Sequence, residues 1–155
     1  MTGPLAPKDY QVLAELRYQI RQFMRFSERA ARAVGLEPHQ HQLMLALKGL
    51  PGNVRPLVGE LAERLQIKQH SAVELANRLE ADGFIQRRRG EQDRREVLLV
   101  LTPKGEKVLQ KLTLSHRSEL RERGPALLTA LTCAMQPSGQ RAVFERKMPS
   151  RKLQC

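Results

Sequence analysis

The chain has 155 residues, one domain's worth of material, and 27 Lys and Arg against 16 Asp and Glu give it a net charge of +11. Hydrophobic residues make up 41% and aromatic residues 4%, with no tryptophan, so the core must be built mainly from Leu, Ala and Val. That suits packed helices better than a β-sandwich, whose strands favour β-branched and aromatic side chains.

A surface this basic attracts polyanions, nucleic acid first among them. No stretch has the apolar length of a membrane span, and Met1 to Asp9 lacks the h-region of a signal peptide, so the cytoplasm is the expected compartment and no membrane partner is expected. The two cysteines, Cys133 and Cys155, have no metal-ligand spacing, and a disulfide framework is not expected in a reducing compartment.

From Pro7 to Val34, apolar residues at Leu13, Leu16, Ile20, Phe23, Met24, Ala31 and Val34 step by threes and fours and draw a stripe on one long helix, which Gly35 ends. Glu37 and Pro38 open a second helix with Leu43, Met44, Leu47 and Leu50 inward. After the turn signal Leu50-Pro51-Gly52-Asn53 comes a short helix, Leu57 to Leu65, and a tight connection at Gln66-Ile67. A further helix over Lys68 to Asp82 turns Ala72, Val73, Leu75, Ala76 and Leu79 inward and stops at Gly83. Two short helices joined this closely, the second polar at its start, form a helix-turn-helix.

Beyond Gly83 the period changes to that of strands. Residues 84–89 and 96–101 make a hairpin whose tip carries Arg87, Arg88, Arg89, Arg94 and Arg95 against Glu91, Asp93 and Glu96. Thr102 then caps a helix that Pro103 begins and Glu106 supports, running to about Glu122. Gly124-Pro125 is expected to break it, with a last helix over Ala126 to Met135. The predicted fold class is mainly α with a small β-hairpin wing. A winged helix-turn-helix lobe at about 37–102 joins a helical base made of about 7–34 and 103–135, all one domain, 1–135. Residues 136–155 are a basic tail, expected to be disordered.

The exposed start of the third short segment offers Lys68, Gln69, His70 and Ser71, then Glu74, Asn77 and Arg78 at helical spacing. In the wide major groove, Gln and Asn suit adenine, while Lys and Arg suit guanine or phosphate. At the hairpin tip an arginine can enter a narrow minor groove, and an aspartate two residues earlier can hold it. Asp93 and Arg95 fit that arrangement, with Arg94 beside them as a phosphate contact and Arg88 as a further DNA-binding candidate. No nucleophile elbow, glycine-rich phosphate loop or His-Glu metal motif is present, so an enzyme is not expected, nor a cofactor.

Leu61-Ala62-Glu63-Arg64-Leu65, then Arg78-Leu79-Glu80-Ala81-Asp82-Gly83-Phe84-Ile85, Asp93-Arg94-Arg95 and Leu99-Val100-Leu101-Thr102-Pro103-Lys104-Gly105 together resemble the MarR family of regulators over roughly residues 10 to 135. The resemblance implies a homodimer that straddles a pseudo-palindromic operator in double-stranded DNA, with the recognition helix in the major groove and the wing in the minor groove. It also implies a repressor released by a small aromatic or phenolic ligand, for which Tyr18, Arg21, Phe26, His41 and Met44 are the candidate pocket residues.

Two positions depart from the family pattern. Lys68 stands where a Ser or Thr cap is usual, and Glu74 where Arg or Lys is frequent. The Glu74 carboxylate either accepts from a cytosine amino group or pairs with Arg78 at i+4, and the intrahelical pair is the favoured expectation. The segment after Met135 matches the family poorly. Zinc sensing, known in some relatives, is a weaker alternative, because His39 and His41 point to different helix faces and His116 lies far along the chain. A redox switch would need a cysteine near the start of the first helix, where none stands. The alternative from another class is a DNA-packaging protein without sequence preference.

Overall fold

A computed structural model describes residues 5–136. Its elements run α1 (Pro7–Ala33), α2 (Pro38–Lys48), α3 (Val58–Leu65), α4 (Gln69–Ala81), β1 (Ile85–Arg89), β2 (Val97–Leu101) and α5 (Pro103–Met135). The protein is thus mainly α with one antiparallel hairpin, in which Ile85 faces Leu101 and Arg89 faces Val97. Residues Ser27–Ser115 form one compact unit, and the described residues before and after them form another. No helix among the described residues is long and apolar enough to cross a membrane.

Local chemistry explains where the helices start and stop. Gly35 takes a φ of +80°, open to glycine without Cβ strain, just past the end of α1. Pro38 opens α2, and the Gln40 side-chain oxygen accepts the Glu37 N–H at 2.9 Å. Between α3 and α4, Gln66 sits in the left-handed region at φ 54°, and the Ile67 N–H returns to the Ala62 carbonyl.

The core of the Ser27–Ser115 unit gathers Leu36, Leu43 and Met44 with Leu61, Leu79, Ile85 and Leu99, each 1% exposed or less. Helix α4 contributes Ala72, Ala76 and Leu79 as its fully buried side. Val73, expected inward, is instead 36% exposed. The buried positions 72, 76 and 79 centre the inner face so that residue 73 falls on its flank.

The junction from α4 through the hairpin to α5 is tightly knit. The Thr102 hydroxyl donates to the Gly83 carbonyl at 2.6 Å and accepts the Gly105 N–H at 3.1 Å, which makes it the N-cap expected of it. Lys104 reaches the Asp82 carbonyl at 2.6 Å and lies over the Phe84 ring at 4.4 Å. A Cβ on Gly105 would lie 2.0 Å from the Phe84 carbonyl oxygen, so only glycine lets α5 begin this close to the preceding strand. On the far side of the hairpin, the Leu99 N–H donates to the Pro56 carbonyl at 2.9 Å.

In the other unit the His116 ring meets Phe23 and Phe26 edge-on, at centroid distances of 5.9 and 5.4 Å. Two helices were expected after Thr102, but α5 runs unbroken through Pro125. A proline inside a helix removes one hydrogen bond and costs on the order of 3 kcal/mol. Gly124 has no Cβ to crowd the proline ring, and the turns beyond it still have Ala130 and Cys133 to bury, so the helix continues. Cys133 is a core residue, as expected. The basic tail expected over 136–155 lies, from residue 137 on, outside the described residues.

Candidate nucleic-acid interface

Every residue assigned above to the recognition helix and the wing falls within the Ser27–Ser115 unit. Lys68 is the N-cap residue of α4 and makes no side-chain cap bond. The first-turn N–H groups of α4 therefore lack the side-chain oxygen that usually satisfies one of them, and an anion is the natural alternative acceptor. Lys68, Gln69 and His70 are exposed at this end, and Ser71 is half-buried. Farther along, Val73, Glu74, Asn77 and Arg78 are exposed.

The arrangement of charges on α4 differs from the expectation in one respect. Among the described residues no ion pair joins Glu74 to Arg78. The carboxylate that is engaged is Glu80, one turn and a half later, which pairs with the Arg87 guanidinium and also accepts the Arg87 backbone N–H at 3.1 Å. Arg87 further donates to the Asn77 side-chain oxygen at 2.7 Å. Asn77 would read adenine with both its oxygen and its NH2 group, and one lone pair of that oxygen is already taken by the wing.

The wing tip is built by its own backbone. The Gly90 N–H donates to the Glu96 carbonyl at 3.0 Å and the Glu96 N–H to the Asp93 carbonyl at 3.1 Å. A Cβ on Gly90 would lie 2.6 Å from that Asp93 oxygen. Asp93 does hold Arg95, but through the Arg95 backbone N–H at 2.9 Å and not through the guanidinium, which corrects the expected side-chain pair. The carboxylate is two residues back, where an aspartate side chain closes a turn on the main chain more readily than it reaches an extended guanidinium.

The other tip arginines divide by what holds them. Arg89 donates to the Arg94 carbonyl at 3.1 Å. Gln86, with its amide oxygen turned toward Arg88, accepts from Arg88 Nη2 and Nε at 2.7 and 3.1 Å. The Arg94 and Arg95 guanidinium groups are exposed and carry no ion pair among the described residues. Below the tip, Arg55 grips Glu96 with both guanidinium nitrogens at 2.5 Å. Neither Arg55 nor the Glu80–Arg87 pair was singled out from the sequence. The partners lie 41 and seven residues apart, and only the Glu80–Arg87 spacing, across a helix stop and a strand start, leaves a local trace.

The residues named for an effector fall in different parts of the fold. Tyr18 is half exposed, with its hydroxyl accepting from Gln22 at 2.6 Å, and Arg21 is exposed. Phe26 packs on His116. His41 is 3% exposed, and Met44 has no exposed surface and belongs to the hydrophobic core. No three His, Cys, Asp or Glu side chains come together as a metal set among the described residues.

Known proteins carry the same architecture. The sequence model of the MarR family matches residues 34–96, which hold α2 through β1 and the hairpin tip. A 52-residue stretch is 44% identical to the HTH-type transcriptional regulator BilQ of Clostridium symbiosum, covering 34% of this chain and only 36% of that regulator's length. AbsC, a MarR family transcriptional regulator from Streptomyces coelicolor, superposes over 92% of this chain and 99% of its own, with a TM-score of 0.68 at 21% identity. The transcriptional repressor CouR, solved bound to a 23-mer DNA duplex, is 30% identical over 77% of this chain and 88% of its own, with a TM-score of 0.56. With its recognition helix, its arginine-tipped wing and the Thr102–Gly105 junction all in place, the chain belongs to the MarR family of winged-helix transcription regulators.

Proposed function

We propose that this chain is a sequence-specific regulator of transcription that grips a pseudo-palindromic site in duplex DNA as a homodimer and acts as a repressor in the cytoplasm. The observation that carries the reading is the pair Arg94 and Arg95, held at a hairpin tip by backbone bonds with their guanidinium groups unspent. In this reading α4 lies in the major groove, where Gln69, His70 and Ser71 face base edges and Lys68 and Arg78 meet phosphate. Arg95 enters the minor groove, with Arg88 and Arg94 on the backbone beside it. CouR, to which the chain is similar, is solved bound to a 23-mer DNA duplex, which supports duplex DNA as the partner.

The homodimer rests on unburied apolar surface. Leu13 is 55% exposed, Leu128 64% and Leu131 42%, on the helices assigned to the base. A two-fold contact is the commonest way to cover such surface, and it would set two recognition helices roughly 34 Å apart, one turn of DNA. The domain division at about 37–102, with 7–34 and 103–135 as dimerisation helices, is part of the same proposal. Release by a small aromatic ligand rests on the family resemblance, with Tyr18, Arg21, Phe26, His41 and Met44 as its residues.

The test is to retain duplexes from a random-sequence library on the purified protein and sequence what is bound. A palindrome with half-sites one turn apart is the expected result. Uniform retention of all duplexes identifies a packaging protein instead. Sedimentation at micromolar concentration should give a dimer, and a monomer that binds the palindrome at full affinity would defeat the two-fold arrangement.

A further inference from the structure

We infer that Glu74 is a base-reading residue of α4 that selects a C·G pair by accepting from the cytosine amino group; this rests on the DNA-binding reading above. The inner side of α4 is fixed by Ala72, Ala76 and Leu79, each 0% exposed. At 3.6 residues per turn, Glu74 stands about 160° round the helix from both Ala72 and Ala76, near the centre of the outward face. It is exposed and has no hydrogen bond or ion pair with any described residue. Arg78, one turn on, does not neutralise it, and Arg87 and Arg55 are engaged by other carboxylates, Glu80 and Glu96.

A bare carboxylate on the face that approaches a polyanion repels every phosphate near it, in a chain whose net charge is +11. Such a group weakens binding to all sequences unless one sequence repays it. The only base edge in the major groove that offers a carboxylate a donor without an adjoining acceptor on the same base is the cytosine N4 amino group. Adenine also has an amino donor, but its neighbouring N7 is an acceptor and suits an amide, which Gln69 supplies. Glu74 therefore lowers affinity for DNA in general and returns it at one position of each half-site. Discrimination of this kind comes as much from repelling wrong partners as from attracting the right one.

The test compares wild-type protein with Glu74→Ala and Glu74→Gln, on the duplexes that the wild type retains from a random library and on duplexes altered one base pair at a time. Glu74→Ala should bind random-sequence duplex several-fold more tightly. It should also lose, on the order of tenfold, the preference for C·G over T·A at one position per half-site, with preferences elsewhere unchanged. Glu74→Gln should gain the same non-specific affinity while keeping part of the preference, because its amide oxygen still accepts. All three proteins should have the same thermal midpoint within about a degree or two, since the side chain is exposed and makes no hydrogen bond or ion pair with a described residue. A retained C·G preference in Glu74→Ala, or equal weakening on every duplex, overturns the assignment. If the wild type retrieves no preferred sequence at all, the regulator reading itself has failed, whereas a retrieved palindrome that Glu74→Ala reads unchanged overturns Glu74 alone.

Discussion

The side-chain oxygen of Asn77, on the recognition helix, accepts a 2.7 Å hydrogen bond from the guanidinium of Arg87, on the first strand of the wing. The same guanidinium pairs with Glu80, so the wing's base is tied to α4 at two points one turn apart. Arg87 thus sets the angle between the two parts offered to DNA, without pointing at DNA itself. Arg87→Ala should weaken operator binding by about 1.5–3 kcal/mol, the worth of hydrogen bonds to charged groups. The slope of log affinity against log salt should stay as it is, because no phosphate contact is lost. A slope that falls by about one for each protomer would instead place Arg87 on the backbone.

At the tip, the roles of Asp93 and Arg95 separate because the carboxylate holds a backbone N–H. Arg95→Ala should cost about 1–3 kcal/mol of operator affinity with an unchanged urea midpoint. Asp93→Asn keeps the acceptor oxygen and should bind within about twofold of wild type, since the two side chains serve equally as acceptors for a main-chain N–H. Asp93→Ala should weaken binding measurably. If Asn is as harmful as Ala in a fluorescence anisotropy titration, the carboxylate's charge is needed on the guanidinium once DNA is bound.

Lys68 occupies an N-cap position without providing a cap. Lys68→Ser should raise unfolding stability by about 1 kcal/mol through a side-chain bond to the first turn of α4. Non-specific DNA affinity should fall at the same time, with a shallower salt dependence, because a cation has left the phosphate-facing end. Urea denaturation and a salt titration on one preparation check both signs. Affinity that rises along with stability would remove Lys68 from the interface.

Two glycines should respond in opposite directions to alanine. At Gly105 the new Cβ meets the Phe84 carbonyl, a backbone atom that cannot swing aside, so Gly105→Ala should cost about 3 kcal/mol or more. At Gly59, on an exposed turn of α3, nothing lies within 4 Å of the new Cβ. Gly59→Ala should gain about 0.5–1 kcal/mol. Thermal or urea unfolding of the two variants side by side tests the geometry of the junction.

The elements were legible because their signals are local. Gly35, Pro38 and Thr102 mark helix ends through backbone chemistry that acts within a few residues, and the short apolar run of β-compatible residues 97–101 marks the second strand. What escaped depends on partners brought together by folding. Glu74 and Arg78 had the spacing of a pair yet do not meet, whereas Arg87 reaches back across the helix stop to Asn77 and Glu80. Val73 fits an apolar stripe by period but sits on its flank, since the stripe is centred by small alanines rather than by the larger side chains. Pro125 has the composition of a break, and only the burial of Ala130 and Cys133 beyond it explains why the helix goes on. Of the site, residue types and chain positions could be read in advance, but not which arginines are spent and which are free.

The bond from Leu99 to the Pro56 carbonyl bears on aggregation. A two-stranded ribbon leaves both its edges open, and an open edge is a template on which another chain can add a strand. Here the middle of one edge is taken by a segment that supplies an acceptor, and a proline has no N–H with which to carry the ladder outward. The other edge belongs to β1, an arginine-rich strand that would bring like charges together if two copies paired through it. The hairpin can therefore be thrust out into solvent, arginines forward, without becoming a seed for fibrils.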